Sequence, residues 1–338
     1  MPEADAGGET GDGKRCDEDS TAPRGRSALV STGRTIRVGR RSVALSSLDR
    51  VLFPDVGVTK GDLIEHYRLV ARRMVPHLKG RPVSMQRYPN GIQAEGFFQK
   101  AAPDYFPDWI RRVTVSKEGG KVEHVVCDDA ATLVYLANQG CITPHVWLSR
   151  ADRVDHPDRL IFDLDPPGDD FGVARFAAAE LRGLLGELGL APLLMATGGR
   201  GLHLVVPLDR RADFDTARAF ARDVAEVLAA RHPRRLTTEA RKNKRRGRLF
   251  LDTMRNAYAQ TAVPPYAVRA RAGAPVAMPL EWEELDDQAL RGSSWNTRNA
   301  AERAAGKDDP WKGMSRRARS LSGPRRKLDR ILESGPRS

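Results

Sequence analysis

The sequence predicts an α+β fold, with a β-α-β-β-α-β core in its second half and a β-rich first half before it. Three observations predict it. Between residues 81 and 127 the stretches "RPVSMQRYP", "AEGFFQK" and "RRVTVSKEGGKVEHVVC" carry β-branched and aromatic residues bounded by Gly and Pro, which excludes an all-helical chain. From residue 159 onward, strand-like and helix-like runs alternate in a regular order. One of those strands, "RLIFDLDPPGDD" at 159–170, carries two carboxylates one residue apart, a placement that needs a compensating cation or a cleft open to water.

Along the chain, residues 1–34 are rich in Gly, Asp, Glu, Ser and Arg and read as a disordered tail. "TIRVGRRSVALS" alternates around a Gly turn and predicts a hairpin. Thr59 then caps a helix with Asp62 three residues on, and Leu63, Tyr67, Val70 and Met74 recur at helical spacing until "HLKGRP". After the strands of 81–127, residues 129–139 read as a short helix. A strand follows at 159–165, then a helix at 171–189 with Phe176, Leu181, Leu184 and Leu188 on its inner face. A strand at 192–197, a "GGRG" turn and a strand at 202–207 come next. Asp213 begins a helix whose Phe214, Ala217, Phe220, Val224 and Val227 face one way, and "RLFLD" at 248–252 closes the set. This order is the split βαβ arrangement of ferredoxin-like and RRM-like folds. Residues 35–312 are expected to fold, divided into a β-rich part at 35–150 and the core at 151–312. Residues 313–338, with "SRRAR" and "PRRKLDR", read as a basic tail without a core to join.

Composition limits the function. A 40% hydrophobic content over 338 residues supports a real core, and no apolar run or N-terminal signal core marks a membrane or secreted protein, so a cytoplasmic, nucleoid-associated location is expected. Cys16, Cys127 and Cys141 show no CxxC spacing, which argues against a disulfide framework and a zinc ribbon and leaves oxygen ligands for any metal. A formal charge of +12 favours a polyanionic partner such as nucleic acid.

Strand alternation puts Ile161, Asp163 and Asp165 on one face and Leu160, Phe162 and Leu164 on the other, and Pro166 and Pro167 stop the ladder near a rim. The topology makes the strands at 159–165 and 202–207 antiparallel neighbours, so the 198–201 turn falls beside the acids. Two divalent ions are the usual partners of such clustered acids in phosphoryl transfer. In "GGRGLH" the glycines, Gly199 among them, let backbone N–H groups approach phosphate oxygens; Arg200 offers a planar fork of donors, and His203 opens the next strand. Blander readings exist: a surface or structural-calcium DxD, a core histidine at 203, a solvated face for "RRLTTEARKNKRRGR". Phosphatases of the haloacid dehalogenase class also end a strand with DxD, but normally follow it with Gly and then Thr or Val, where this chain has Pro166 and Pro167.

"LIFDLDP", "TGGRGLHLVVPL", "RLFLDTMRNAYAQTAVPPYAVRARAGAPVAMPLEWEEL", "GRPVSMQRYPNG" and "GFFQK" together resemble the polymerase domain of bacterial ligase D, the primase-type polymerase of non-homologous end joining. The resemblance spans roughly residues 35–312. It implies a primase-like palm and addition of nucleotides, ribonucleotides preferred, to DNA 3' ends, with two manganese or magnesium ions. Asp163, Asp165 and Asp252 match the metal-binding aspartates. The topology makes Asp252 awkward, because its strand should run antiparallel to the first and end at the wrong rim unless it continues past Thr253. Thr197, Arg200, His203 and Arg269 match positions that hold the incoming triphosphate, with His145 as a further candidate. Phe97 and Phe98 match a template-stacking pair, and Lys60 and Arg50 match basic residues gripping a 5'-phosphate across a gap. Lys60, at a capped helix start, is also expected to gain from free backbone N–H groups there. Departures are Thr197 and Arg200 where the family often has Ser and Lys, and Ser47 where Asn is common in the 5'-phosphate pocket. With no adenylated-lysine motif in view, a stand-alone polymerase is expected, served by a separate ligase and the end-binding Ku protein. The competing class is a non-catalytic DNA-end binding module.

Overall fold

The computed structural model describes residues 34–117 and 119–334, with the side chain of residue 117 left aside. The tail expected over 1–34 lies outside these residues except for Arg34, which opens the first strand. The hairpin forms as β1 (Arg34–Val38) and β2 (Arg41–Leu45) around Gly39, whose φ of +60 suits glycine. Helix α1 (Lys60–Leu78) starts at Thr59 with the reciprocal capping box to Asp62 that the spacing predicts.

Two six-stranded sheets follow. The first contains β3 (Pro82–Arg87), β4 (Phe97–Gln99), β5 (Arg112–Lys117), β6 (Gly120–Val126) and, after helix α2 (Ala130–Asn138), β7 (Cys141–Trp147). Its order is 261–262, β7, β3, β6, β5, with β4 on β3. The second sheet holds the predicted core: β8 (Arg159–Asp165), α3 (Phe171–Glu187), β9 (Leu193–Ala196), β10 (Leu202–Pro207), α4 (Phe214–Arg231) and β11 (Leu249–Asp252). Asp170 and Asp213 cap α3 and α4. The strands run β11-β8-β10-β9, as the split βαβ topology requires, extended by 236–237 beside β11 and by β12 (Met278–Leu280) beside β9. Helices α3 and α4 pack against the apolar face of β8, where Leu160, Phe162 and Leu164 are fully buried. The acids are left on the other face.

The halves are sewn together. The Thr143 hydroxyl of β7 donates to the carbonyl of Val268 at 2.6 Å, and the Val268 N–H donates to the Tyr67 hydroxyl of α1 at 3.1 Å. Among the described residues no helix is long and apolar enough to cross a membrane.

The basic C-terminal segment is not a free tail. Residues 322–333 form a helix, α6 after the short α5 (Ala300–Gly306). Leu321 and Leu328 join the core, and Arg325 pairs with Asp223 of α4 at 2.6 Å. Two leucines and a buried-side ion pair are enough to dock a helix whose other residues are mostly charged.

Candidate active site and nucleic-acid interface

The register across three strands builds the site. On β8, Asp163 lies directly opposite His203 of β10 and directly opposite Asp252 of β11. Directly opposed residues of antiparallel strands point to the same face, so Asp252, Asp163 and His203 form a row, with Asp165 two positions nearer the rim. This corrects the expected misplacement of Asp252. Strand β11 does not continue past Thr253; it pairs with only the last three residues of β8, so its final residue reaches Asp163.

What stops β11 there is Asn256. Its side-chain amide accepts from the Ile161 N–H at 2.8 Å and donates to the Ile161 carbonyl at 2.7 Å. One buried side chain thereby continues the ladder along β8 after the chain has turned into the 3-10 segment Met254–Asn256. Sequence reading missed Asn256, because its role depends on a pairing partner 95 residues away.

Charge is densely arranged around the row. Nε2 of His203 lies 3.4 Å from Asp163 and Nε of Arg255 lies 3.9 Å from it. Arg245, stacked over the Phe250 ring at 4.1 Å, reaches Asp165 at 3.1 Å, and Arg200 lies 3.9 Å from the same carboxyl. Burial pushes the Asp163 carboxyl up, but His203 and the nearby arginines outweigh it and hold the group below its ordinary value. Asp252 goes the other way, raised by burial and by the Asp163 and Asp165 carboxyls although the Met254 N–H donates to it at 2.7 Å. Among the described residues no group of three His, Cys, Asp or Glu side chains is arranged to hold a metal ion as it stands. Arg245 draws Asp165 aside and the Met254 N–H holds Asp252. The donor set itself, three carboxylates sharing one face and repelling one another, suits a hard divalent cation.

Beside the row lies a cavity of about 210 Å³, lined by Asp163, Asp165, His203, the glycine turn and Arg200, Arg255, Arg269 and Arg271; Asp252 stands behind Asp163, outside the lining. The turn is built by close approach. Gly198 has a φ of +67, and a Cβ on Gly201 would strike the Leu164 carbonyl oxygen. Thr197 braces it: its hydroxyl donates to the Gly201 carbonyl at 3.0 Å and accepts from the Gly199 N–H at 3.2 Å. Arg269 donates to the Thr197 carbonyl at 2.6 Å and is drawn down to about 10 by burial and then by Arg271. His145 is brought to the same cavity, held at about 3 by burial and by Arg269, and is therefore neutral. Arg255 and Arg271 were not singled out from sequence, although the motif stretches "DTMR" and "VRAR" contain them; Arg245 is hidden in a basic run whose other members are mostly exposed.

Phe97 and Phe98 on β4 are 47% and 57% exposed, unusual for phenylalanine, and Phe98 meets the His145 ring edge-on at 5.3 Å. Away from this face, Lys60 and Arg50 do converge: the Lys60 N–H donates to the Arg50 carbonyl at 2.8 Å, and the Lys60 ammonium is lowered to about 8 by burial and then by Arg50. The free N–H groups expected there are not free. Those of Lys60, Gly61 and Asp62 bond Arg50, Leu48 and Thr59, so any anion attraction comes from the side chains. Ser46, not Ser47, contacts the Lys60 ammonium at 3.3 Å; Ser47 is exposed, with a φ of 50.

A family model described as LigD, primase-polymerase domain, matches residues 59–311. The multifunctional non-homologous end joining DNA repair protein LigD of Mycobacterium tuberculosis (strain H37Rv) is 36% identical over 264 residues, covering 75% of this chain and 35% of that protein. LigD of Pseudomonas aeruginosa is 34% identical over 311 residues, covering 90% of this chain and 37% of its own. The chain thus spans little more than a third of the length of these relatives. Among solved structures, the polymerase domain of Mycobacterium tuberculosis ligase D in complex with DNA aligns with a TM-score of 0.77 and 33% identity, covering 82% of this chain and 99% of that one.

Proposed function

This chain belongs to the LigD primase-polymerase family, and we propose that it is a nucleotidyltransferase that extends DNA 3'-hydroxyl ends in gap filling and double-strand break repair by end joining. The observation that carries this reading is a cavity that Asp163, Asp165 and His203 share with four arginines and a glycine turn, with Asp252 directly opposite Asp163. Carboxylates and arginines lining one cavity are what nucleotidyl transfer needs: cation-holding groups for the reacting oxygens and anion-holding groups for the leaving pyrophosphate.

Asp163, Asp165 and Asp252 would hold two manganese or magnesium ions, which when bound supply charge neutralisation at the attacking and leaving oxygens. The other roles belong to the chain itself. Arg200, Arg255, Arg269 and Arg271 bind the triphosphate, and the backbone of the Gly199 turn approaches it closely. Thr197 acts through the turn it braces. His203 keeps Asp163 ionised and oriented. Neutral His145 adds no charge beside Arg269 and supports Phe98, while Phe97 and Phe98 offer exposed ring faces on which template bases stack. Lys60 and Arg50 grip the 5'-phosphate across a gap. Ribonucleotide preference, and cooperation with Ku and a separate ligase, complete the proposal on the strength of the family.

Incorporation of labelled nucleotide onto a gapped duplex tests it. Wild type is expected to extend the primer with either metal present, and Asp163→Ala to abolish extension while binding the same duplex. Normal extension by the variant, or none by wild type with either metal, would refute the site.

A further inference from the structure

At the far end of β8 from the acids lies a second cavity, of about 540 Å³, which shares no lining residue with the first. Arg159, which lines it, precedes Asp163 by four strand positions, about 13 Å. Three guanidiniums converge here on one carboxylate. Arg81 bonds both oxygens of Asp158 at 2.6 Å, Arg150 reaches it at 2.8 Å and Arg159 at 3.3 Å. Arg81 is fully buried but also donates to the carbonyls of His77, Trp147 and Ser149.

Arg159 has no such help. It is 4% exposed, and its bond from Nε to Asp158 leaves both Nη atoms without a hydrogen-bond partner among the described residues. The other carboxylates of the lining are engaged elsewhere: Asp309 accepts from the Trp311 N–H and the Tyr266 hydroxyl, and Asp209 from the Arg211 N–H. His77 brings no charge, held at about 3 by burial and then by the arginines. Buried positive charge therefore exceeds buried negative charge at the cavity floor, a costly state that an anion in the cavity relieves.

We propose that this cavity binds a phosphate monoester, with the phosphate on the unpartnered fork of Arg159 between Arg150 and Lys312 and the organic body against Pro207, Trp311 and Met314. A planar guanidinium matches phosphate oxygens two at a time. The volume lies in the range of small-molecule sites and exceeds what phosphate alone needs, and Pro207, Trp311 and Met314 give the remaining wall apolar surface beside Asp209, Arg210 and Asp309.

Titration calorimetry of the full chain with phenyl phosphate and with inorganic phosphate tests this. Phenyl phosphate is expected to bind more tightly, with Kd unchanged in Arg200→Ala, which weakens the nucleotide cavity, and raised about tenfold or more in Arg159→Gln. Because Arg159→Gln disturbs a buried ion cluster, Lys312→Ala at the cavity wall serves as the second variant and should weaken binding severalfold with unchanged near-ultraviolet circular dichroism. No heat with phenyl phosphate, equal affinity for the two ligands, or binding lost in Arg200→Ala yet retained in Lys312→Ala would overturn the proposal. Displacement of phenyl phosphate by a 5'-phosphorylated oligonucleotide and not by its 5'-hydroxyl twin would support it with a DNA end as the source; failure of both to displace would support it with a free metabolite as the source.

Discussion

Asp252 is the acid whose ionisation the fold opposes, and the sign of that effect can be measured. Its carboxyl is raised by burial and by its acidic neighbours, so ionising it costs the folded state; the cost is absent below the ordinary carboxylate value and complete above the raised one. Asp252→Asn keeps the oxygen that accepts from the Met254 N–H and removes the charge. Its melting temperature at pH 7 should exceed wild type by on the order of 1–3 °C. The gain should vanish below about pH 3.9, and extension activity should be lost. A lower melting point at pH 7 would contradict this account. Lys60 shows the mirror case, an ammonium lowered to about 8, so its charge weakens as pH rises through 8. A gapped duplex with a 5'-phosphate should bind more tightly than its 5'-hydroxyl twin by about 1–3 kcal/mol near pH 7. That margin should shrink by pH 9 and fall to the share Arg50 supplies in Lys60→Met; anisotropy titrations giving a margin unchanged in Lys60→Met would exclude Lys60 as its main source. At this scale Asp163 and Asp165 are legible in sequence, because residues two apart on a strand must share a face. The adjacency of Asp252 is not, since the offset between β8 and β11 leaves no mark in either segment alone.

Helices and turns are legible where their ends are chemically marked. Thr59 with Asp62, Asp213, and the glycine turn after β9 fix boundaries to within a residue or two, because capping and positive φ each demand particular side chains. Helix α6 carries no side-chain N-cap bond and only a few apolar anchors among arginines, so it reads as tail until α4 is there to receive it. Asn256 is the case where one side chain acts as a strand. Asn256→Ala leaves the Ile161 N–H and carbonyl buried and unpaired, at about 1–3 kcal/mol for each group. The variant is expected to unfold at lower urea concentration and to lose extension activity beyond what its stability explains, since Asp252 is no longer held opposite Asp163. Full activity in a folded Asn256→Ala protein would show that the end of β11 is set by something else.

At the level of the molecule, α6 belongs to the folded unit, and removing it should be felt there. Deleting residues 320–338 uncovers the sites of Leu321 and Leu328 and strips Asp223 of Arg325, so a loss of about 2–5 kcal/mol is expected from apolar burial alone. Chemical denaturation checks this, and an unchanged midpoint would restore the view of a bystander tail. The +12 charge is a different matter, readable from composition because long-range attraction to a polyanion depends on the sum of charges and hardly on their order. Between Asp252 at the end of β11 and Thr261, which pairs with Trp147 of β7, the chain passes through the Asn256 lock, so a short tether fastened at both ends joins the two sheets. A tether that short beside the shared cavity limits how far the two sheets can part at this seam. What must move for a cation to enter is then a side chain: Arg245 has to leave Asp165 before that carboxyl is free to take one, a change of rotamer and not of lobe position.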